Sequence, residues 1–376
     1  TGPLGDSYLS RSPVVLRPCE GGVVVERGAS STPLRVVGAP ATSRVFLDAS
    51  TLAYGAVLTL ADRVMLILQE CPPASAPSSG HGLTGASAAL EAVRRHIDRC
   101  APLQASVLIQ GESGTGKELI ARAIHAASPR AGRPYVPINM AALNPHTAVA
   151  ELFGHARGSF TGALEAREGL FRAADGGTLF LDEIAAASLE VQAMLLRVLE
   201  VGEIQPLGGS PARRVDVRVL TATDADLTQS IRQGGFRAAL YHRLAAYELP
   251  VPPLRARRDD IARLFVHFLE LELQRAGRPE CFEGLAEDAS KRLPVAAVAQ
   301  LLAHTWPGNV RELRNVAVRA AAALLVGDDI GQVVAGEHEA QPPGSSAPAQ
   351  PPAASLSDDE LLRATLAKHG WQVASA

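Results

Sequence analysis

Two short runs in this 376-residue sequence have the residue types and spacing of a phosphoryl-transfer site. The first is Gly111, Glu112, Ser113, Gly114, Thr115, Gly116, Lys117 and Glu118, entered from an apolar run over 106–110 and followed by Ile120, Ala123 and Ile124. A strand that enters a glycine loop and leaves as a helix turns backbone N–H groups around phosphates, and the helix N-terminus adds partial positive charge. Lys117 then reaches the β- and γ-phosphates, so the run reads as a P-loop for ATP and not as a plain glycine turn. Glu118 stands where most such loops carry the Ser or Thr that ligates Mg2+, so metal binding must lean on other groups. The second run is Asp182 and Glu183, at the end of the apolar strand 178–181. Doubly wound sheets place ligands at that end of a strand. Asp182 can hold Mg2+ there, directly or through water, while Glu183 polarises the attacking water. Adjacent acids after a strand also serve as a solvated helix cap; the upstream glycine loop favours the catalytic pair.

Such residues need a sheet to hold them. Strand patterns alternate with amphipathic helices from about 83 to 250, which implies an α/β fold, a parallel sheet covered by helices. From Arg258 to about Val326 the pattern turns helical, with Ile261, Leu264, Phe265, Phe268 and Leu269 at helix-face spacing, and predicts an α-helical lid. The first 70 residues read as short strands with apolar centres at 14–16, 23–25, 34–37 and 57–60, a small all-β module. The chain therefore divides into a β module (1–71), a Pro/Ala/Ser/Gly linker (72–82), an α/β nucleotide-binding subdomain (83–252) and a lid (253–332). A linker too poor in large apolar residues to fold (333–356) and a final helical segment (357–376) complete it. No internal repeat is visible.

Composition narrows the class. An apolar share of 47% with 20% charged residues is that of a globular protein, and no run approaches the roughly 20 apolar residues of a spanning helix. No secretory signal is legible, and Cys19, Cys71, Cys100 and Cys281 are scattered, so the expected compartment is the reducing cytoplasm, without a membrane partner. A net charge of −3 gives no global basic field, so DNA binding must be local to one element. Lysine occurs only at Lys117, Lys291 and Lys368, which sets the one in the glycine loop apart from background.

Three segments carry a family resemblance: ELFGHARGSFTGA from Glu151 to Ala163, FLDEI from Phe180 to Ile184, and WPGNVRELRN from Trp306 to Asn315. Together they resemble the AAA+ domain of bacterial sigma-54-dependent transcription activators, over roughly 83 to 326. The most discriminating stretch is Gly158, Ser159, Phe160, Thr161, Gly162 and Ala163, similar to the family's GAFTGA loop, which touches sigma-54. Ser159 replaces the commoner alanine. On residues alone, glycines bracketing Phe160 and Thr161 fit a pliable loop that presents an aromatic and a turn that packs it inward equally well. The resemblance decides for the loop.

The resemblance also implies roles. Asn139 is in the place of the asparagine that hydrogen-bonds the strand-end glutamate, here Glu183. Thr223 and Asp224 occupy the sensor I position, with Asp224 where the family usually has asparagine; an added carboxylate near a triphosphate is unfavourable unless metal or arginine offsets it. Arg237 and Arg243 match the arginines that reach the neighbour's ATP, and Arg311 matches the sensor II arginine of the lid. An arginine supplied in this way contributes about 10³ to 10⁵ in rate. Ala239 replaces a usual aspartate, and impaired packing or subunit contact is expected there. An arginine serving the neighbour's nucleotide demands a head-to-tail interface, which closes into a ring, usually a hexamer in this family. The implied cofactors are ATP and Mg2+, and the implied partner is the sigma-54 RNA polymerase holoenzyme, remodelled from closed to open complex.

Both ends carry looser resemblances. The N-terminal module is similar to the later part of a forkhead-associated domain, with Ser10 and Arg11 in the place of its phosphothreonine contacts but Pro13 where a histidine is usual. The residues favour a plain β module packed on the ATPase over phosphopeptide binding. Residues 361–376 resemble the start of a Fis-type helix-turn-helix, stopping before a recognition helix, so enhancer DNA binding is expected of the complete motif. Two rivals stand beside this reading. Another AAA+ remodeller, such as a chelatase subunit or an unfoldase, shares the phosphate site but not GSFTGA with WPGNVREL. A non-hydrolysing ATP-binding scaffold would account for Asp224 and Ala239.

Overall fold

The computed structural model describes residues 12–36, 39–40, 44–69, 80–159, 165–209, 211–282 and 295–336. Ser10, Arg11, the loop residues Phe160 to Ala163 and the C-terminal segment 357–376 lie outside the described residues.

Seven strands open the chain: β1 (Val15–Cys19), β2 (Gly22–Glu26), β3 (Leu34–Val36), β4 (Ala39–Pro40), β5 (Arg44–Asp48), β6 (Ala56–Leu60) and β7 (Val64–Leu68). They form two antiparallel sheets, ordered β1-β2-β5 and β4-β3-β6-β7. Alternation along the strands turns Val25, Leu34, Val36, Leu47 and Leu58 into a common core. β5, β7 and the short helix α1 (Ala49–Tyr54) are additions to the strands expected from sequence. The β6–β7 hairpin turns on Ala61 and Asp62, whose φ angles of 53° and 52° are positive without a glycine to announce them.

The module also contributes to a second core. Val57 of β6 is buried within the apolar cluster of the lid, with Met65 and Ile67 of β7 packed against it. Arg258 of the lid donates to Gly55 O at 3.2 Å, just before β6.

The central sheet consists of β8 (Val107–Gln110), β9 (Tyr135–Asn139), β10 (Thr178–Asp182), β13 (Arg218–Thr223) and β14 (Tyr247–Pro250), in the order β14-β8-β13-β10-β9. Every pairing is parallel. Successive residues face opposite sides: Leu108, Leu179, Leu181 and Val219 enter one core, whereas Val107, Ile109, Phe180 and Leu220 enter the other. Burial on both faces is why these strands read as continuous apolar runs. The helices α2 (Ala88–Cys100), α3 (Lys117–Ala126), α4 (Ala148–Phe153), α5 (Leu170–Ala173), α6 (Leu189–Val201), α7 (Leu227–Arg232) and α8 (Ala238–Leu244) accompany the sheet, as does the small hairpin β11 (Glu203–Ile204) and β12 (Arg213–Arg214).

The lid is built from α9 (Arg258–Arg275), α10 (Val295–Ala303), α11 (Asn309–Val326) and α12 (Ile330–Gly336). Ile261, Leu264, Phe265 and Leu269 of α9 are buried as their spacing predicts. Asp260, wholly buried, ties α9 to the start of the α/β part by accepting from Ala86 N, Ser87 N and Ser87 Oγ at 2.6, 2.9 and 2.5 Å. A side chain on Gly85 would meet the Asp260 carboxylate at 2.7 Å, and its φ of 141° suits only glycine.

Candidate functional site

β8 runs directly into the glycine loop, and α3 begins at Lys117 after Gly116, which has a left-handed φ of 100°. Lys117 is buried, and its Nζ donates to Gly111 O at 2.8 Å and Glu112 O at 3.3 Å. β10 lies two strands away in the sheet and delivers Asp182 and Glu183 to the same edge. Asp182 Oδ1 accepts from Glu183 N at 3.0 Å, and Glu183 adopts a left-handed φ of 52°. That turn brings Glu183 Oε1 to 3.8 Å from Lys117 Nζ. Ser113, Lys117, Glu118, Asp182, Glu183 and Arg311 line one cleft of about 330 Å³.

Burial raises the proton affinity of both acids. For Asp182 the loss of solvent outweighs the attraction of Lys117 and Arg311. For Glu183 burial acts first, Lys117 opposes it, and the carboxylates of Asp224 and Asp182 reinforce it. Asp224 follows β13, whose end pairs Thr223 with Gln110 of β8. Thr223 is buried; its carbonyl accepts from Gly111 N at 3.2 Å and its Oγ1 from Ala225 N at 3.1 Å. Glu118 is engaged by Arg122 at 2.9 Å, one helical turn on.

Other expected residues stand apart from this cleft. Asn139 pairs with Asp182 across the sheet, but its Oδ1 accepts from Ala141 N at 2.8 Å, capping a turn. Among the described contacts it makes no bond to Glu183; the backbone of the next turn claims its side chain. Arg237, the N-cap residue of α8, and Arg243, on that helix, lie exposed; Arg237 Nε donates to Leu189 O at 3.3 Å and Arg243 sits 3.5 Å from Glu200. Ala239 is exposed on the same helix, so its substitution bears on a surface contact and not on core packing. Gly158 and Ser159 start the GSFTGA loop, with Ser159 Oγ donating to Ala156 O at 2.8 Å.

A clamp between the glycine loop and the lid was not visible in sequence. Arg255 grips Glu112 with two guanidinium nitrogens at 2.8 and 2.5 Å, which holds that carboxyl below its usual range. Asn309, wholly buried with a φ of 51°, accepts from Leu254 N at 2.7 Å and donates to Glu112 Oε2 at 3.1 Å and Ser113 O at 3.0 Å. The free N–H groups at the start of α11, on Val310 and Arg311, converge on Gly114 O at 3.0 and 3.3 Å. Buried Arg257 reaches Thr115 O at 3.1 Å. The fit is close enough that a Cβ on Gly114 would meet Gly308 O at 2.3 Å. The only sequence signals were the arginines of PPLRARR and the asparagine of WPGN, residue types that are usually surface charge or turn.

Residues 83–250 match the family model described as the sigma-54 interaction domain, and 255–334 match the AAA+ ATPase lid domain. Residues 83–250 thus belong to the sigma-54 interaction domain family. The Nif-specific regulatory protein of Klebsiella pneumoniae is 42% identical over 315 residues, covering 82% of this chain and 58% of that protein. The anaerobic nitric oxide reductase transcription regulator NorR of Klebsiella pneumoniae (strain 342) is 46% identical over 267 residues, 70% of this chain and 50% of its own length. The chain thus spans between half and three-fifths of these two relatives. NtrX from Brucella abortus, solved in complex with ADP, superposes with a TM-score of 0.60 at 35% identity, over 75% of this chain and 59% of its own. The sigma-54 interaction domain thus carries the glycine loop, Asp182, Glu183 and the segment of Gly158, while the lid domain carries Arg311 and Asn309.

Proposed function

We propose that this chain hydrolyses ATP as a ring and uses the energy to remodel RNA polymerase bound to sigma-54, so that the closed promoter complex opens. The observation that carries the reading is the single cleft in which Lys117, Asp182, Glu183 and the lid's Arg311 converge, within a domain of the sigma-54 interaction family. Lys117 and the loop N–H groups hold the β- and γ-phosphates. Asp182 is the oxygen donor suited to Mg2+, a hard cation that takes most of its remaining ligands from phosphates and water. When bound, Mg2+ neutralises charge on the phosphates being transferred. Glu183, once ionised, orients and polarises the attacking water, Thr223 and Asp224 flank it from β13, and Arg311 follows the γ-phosphate from the lid.

Arg237 and Arg243 are the arginines offered to the neighbour's ATP, and their exposure at the N-cap of α8 and on α8 leaves them able to cross a subunit boundary. The loop Gly158 to Ala163 is the sigma-54 contact, with Phe160 and Thr161 between its two glycines in sequence. Enhancer DNA is bound through a helix-turn-helix of the kind that residues 361–376 resemble. Thr161→Ala is expected to keep ATPase activity within about two-fold while abolishing open-complex formation. Equal loss of both would remove the loop from this role.

The placement of Asp224 beside Glu183 favours one competing reading, a scaffold that binds ATP without turning it over. Steady-state phosphate release separates the two, since only the motor loses turnover in Lys117→Ala.

A further inference from the structure

Gln192 sits on the first turn of α6 and is wholly buried. Its amide bonds three backbone groups. Nε2 donates to Ala187 O at 2.8 Å and to Gly235 O at 3.0 Å, and Oε1 accepts from Arg237 N at 2.9 Å. These groups belong to two segments with distinct duties. Ala187 closes the turn that begins at Glu183, directly after the strand that carries Asp182. Gly235 and Arg237 flank Phe236 at the start of α8, where Arg237 is the N-cap residue without a side-chain cap of its own. The Arg237 side chain completes the knot by donating to Leu189 O, also on the first turn of α6.

Two N–H donors and a carbonyl oxygen in one planar group meet two carbonyls and one N–H, and an apolar residue of the same size would leave all three without this partner. A buried polar group of this kind fixes the segments it joins, because each loses its partner if it moves alone. The arginine exported from a subunit is therefore anchored, at its own backbone nitrogen, to the exit of that subunit's acidic strand.

We propose that Gln192 is the positioning residue for Arg237, so that a shift at one subunit's Asp182–Glu183 turn is passed to the arginine it presents to the next subunit. The inference rests on the reading of Arg237 as acting on a neighbour's nucleotide, and the test separates the two. In the full chain, Gln192→Met is expected to lower kcat toward the level of Arg237→Ala, a fall of about 10³-fold when a whole donated arginine is lost, with KM for ATP nearly unchanged. Gln192→Met is then co-expressed with Lys117→Ala, which is blocked in its own phosphate loop but carries an intact Arg237. Turnover above that of either variant alone is expected, because Lys117→Ala subunits lend arginines to Gln192→Met sites.

The control pairs Arg237→Ala with Lys117→Ala. Restoration in the control but not with Gln192→Met means Gln192 serves its own subunit's site, and the inference fails. Restoration in neither mixture overturns the trans-acting arginine itself and the inference with it. Gln192→Glu keeps the oxygen facing Arg237 N and replaces only the donor facing Ala187 and Gly235. It is run in parallel and takes the place of Gln192→Met if that chain does not fold.

Discussion

Glu183 is pulled in opposite directions, upward by burial and by the carboxylates of Asp224 and Asp182, downward by Lys117. Upward wins, so its proton is held to a higher pH than that of a solvated glutamate. In the proposed mechanism only the ionised form polarises water, and activity is then expected to be lost on acidification sooner than for an ordinary glutamate. Asp224→Asn removes one of the raising charges. Its acid limb in a kcat profile is expected to move to lower pH, and a limb that stays in place would detach Asp224 from the site. Asn309 invites a second test at this scale. Asn309→Leu leaves Leu254 N and Ser113 O without their partner, takes one donor from Glu112, which keeps Arg255, and puts a branched side chain at a positive φ, so a loss of at least about 2 kcal/mol in urea unfolding is expected. The glycine loop and the paired acids were legible in the sequence because their chemistry is local, a strand followed at once by its ligand-binding residues. Glu112 meets Arg255 across 143 residues and Asn309 across 197, and no periodicity or spacing encodes such a meeting.

At the level of elements, the parallel sheet and α9 were readable because burial leaves a periodic trace, continuous in the strands and helical in α9. The β6–β7 hairpin escaped because Ala61 and Asp62 take a conformation that glycine or asparagine usually marks. Its consequence is larger than a missed strand, since this hairpin lies against α10 of the lid and shares its apolar cluster. α1 of the same module touches the turn that carries Arg255. The β module, the lid and the glycine loop thus form a continuous series of contacts. Val57→Ala, which removes two buried methyl groups from the shared core, is expected to cost about 1–3 kcal/mol. The loss is expected to appear in the unfolding of the lid as well as of the module, followed by Trp306 fluorescence in the lid core. A transition in which Trp306 is unaffected would separate the two cores.

For the molecule as a whole, the proposed motor is incomplete in one copy, because its exposed arginines serve another chain's nucleotide. Turnover per subunit is expected to rise more steeply than linearly with protein concentration and then level off, and a flat dependence would argue for a site sufficient in the monomer. No helix among the described residues is long and apolar enough to cross a membrane. The burial of Val57 in the apolar cluster of the lid also bears on whether the β module can be replaced by another. The stretch after β7 looks in sequence like a seam at which one module could be cut off and another spliced on. A splice there would leave the apolar cluster of the lid uncovered, and a graft that lacks a matching hairpin would inherit a sticky face. Transplanting this module, or replacing it, therefore calls for moving the facing residues of α10 together with it, so that the heritable unit is larger than the domain drawn from the linker.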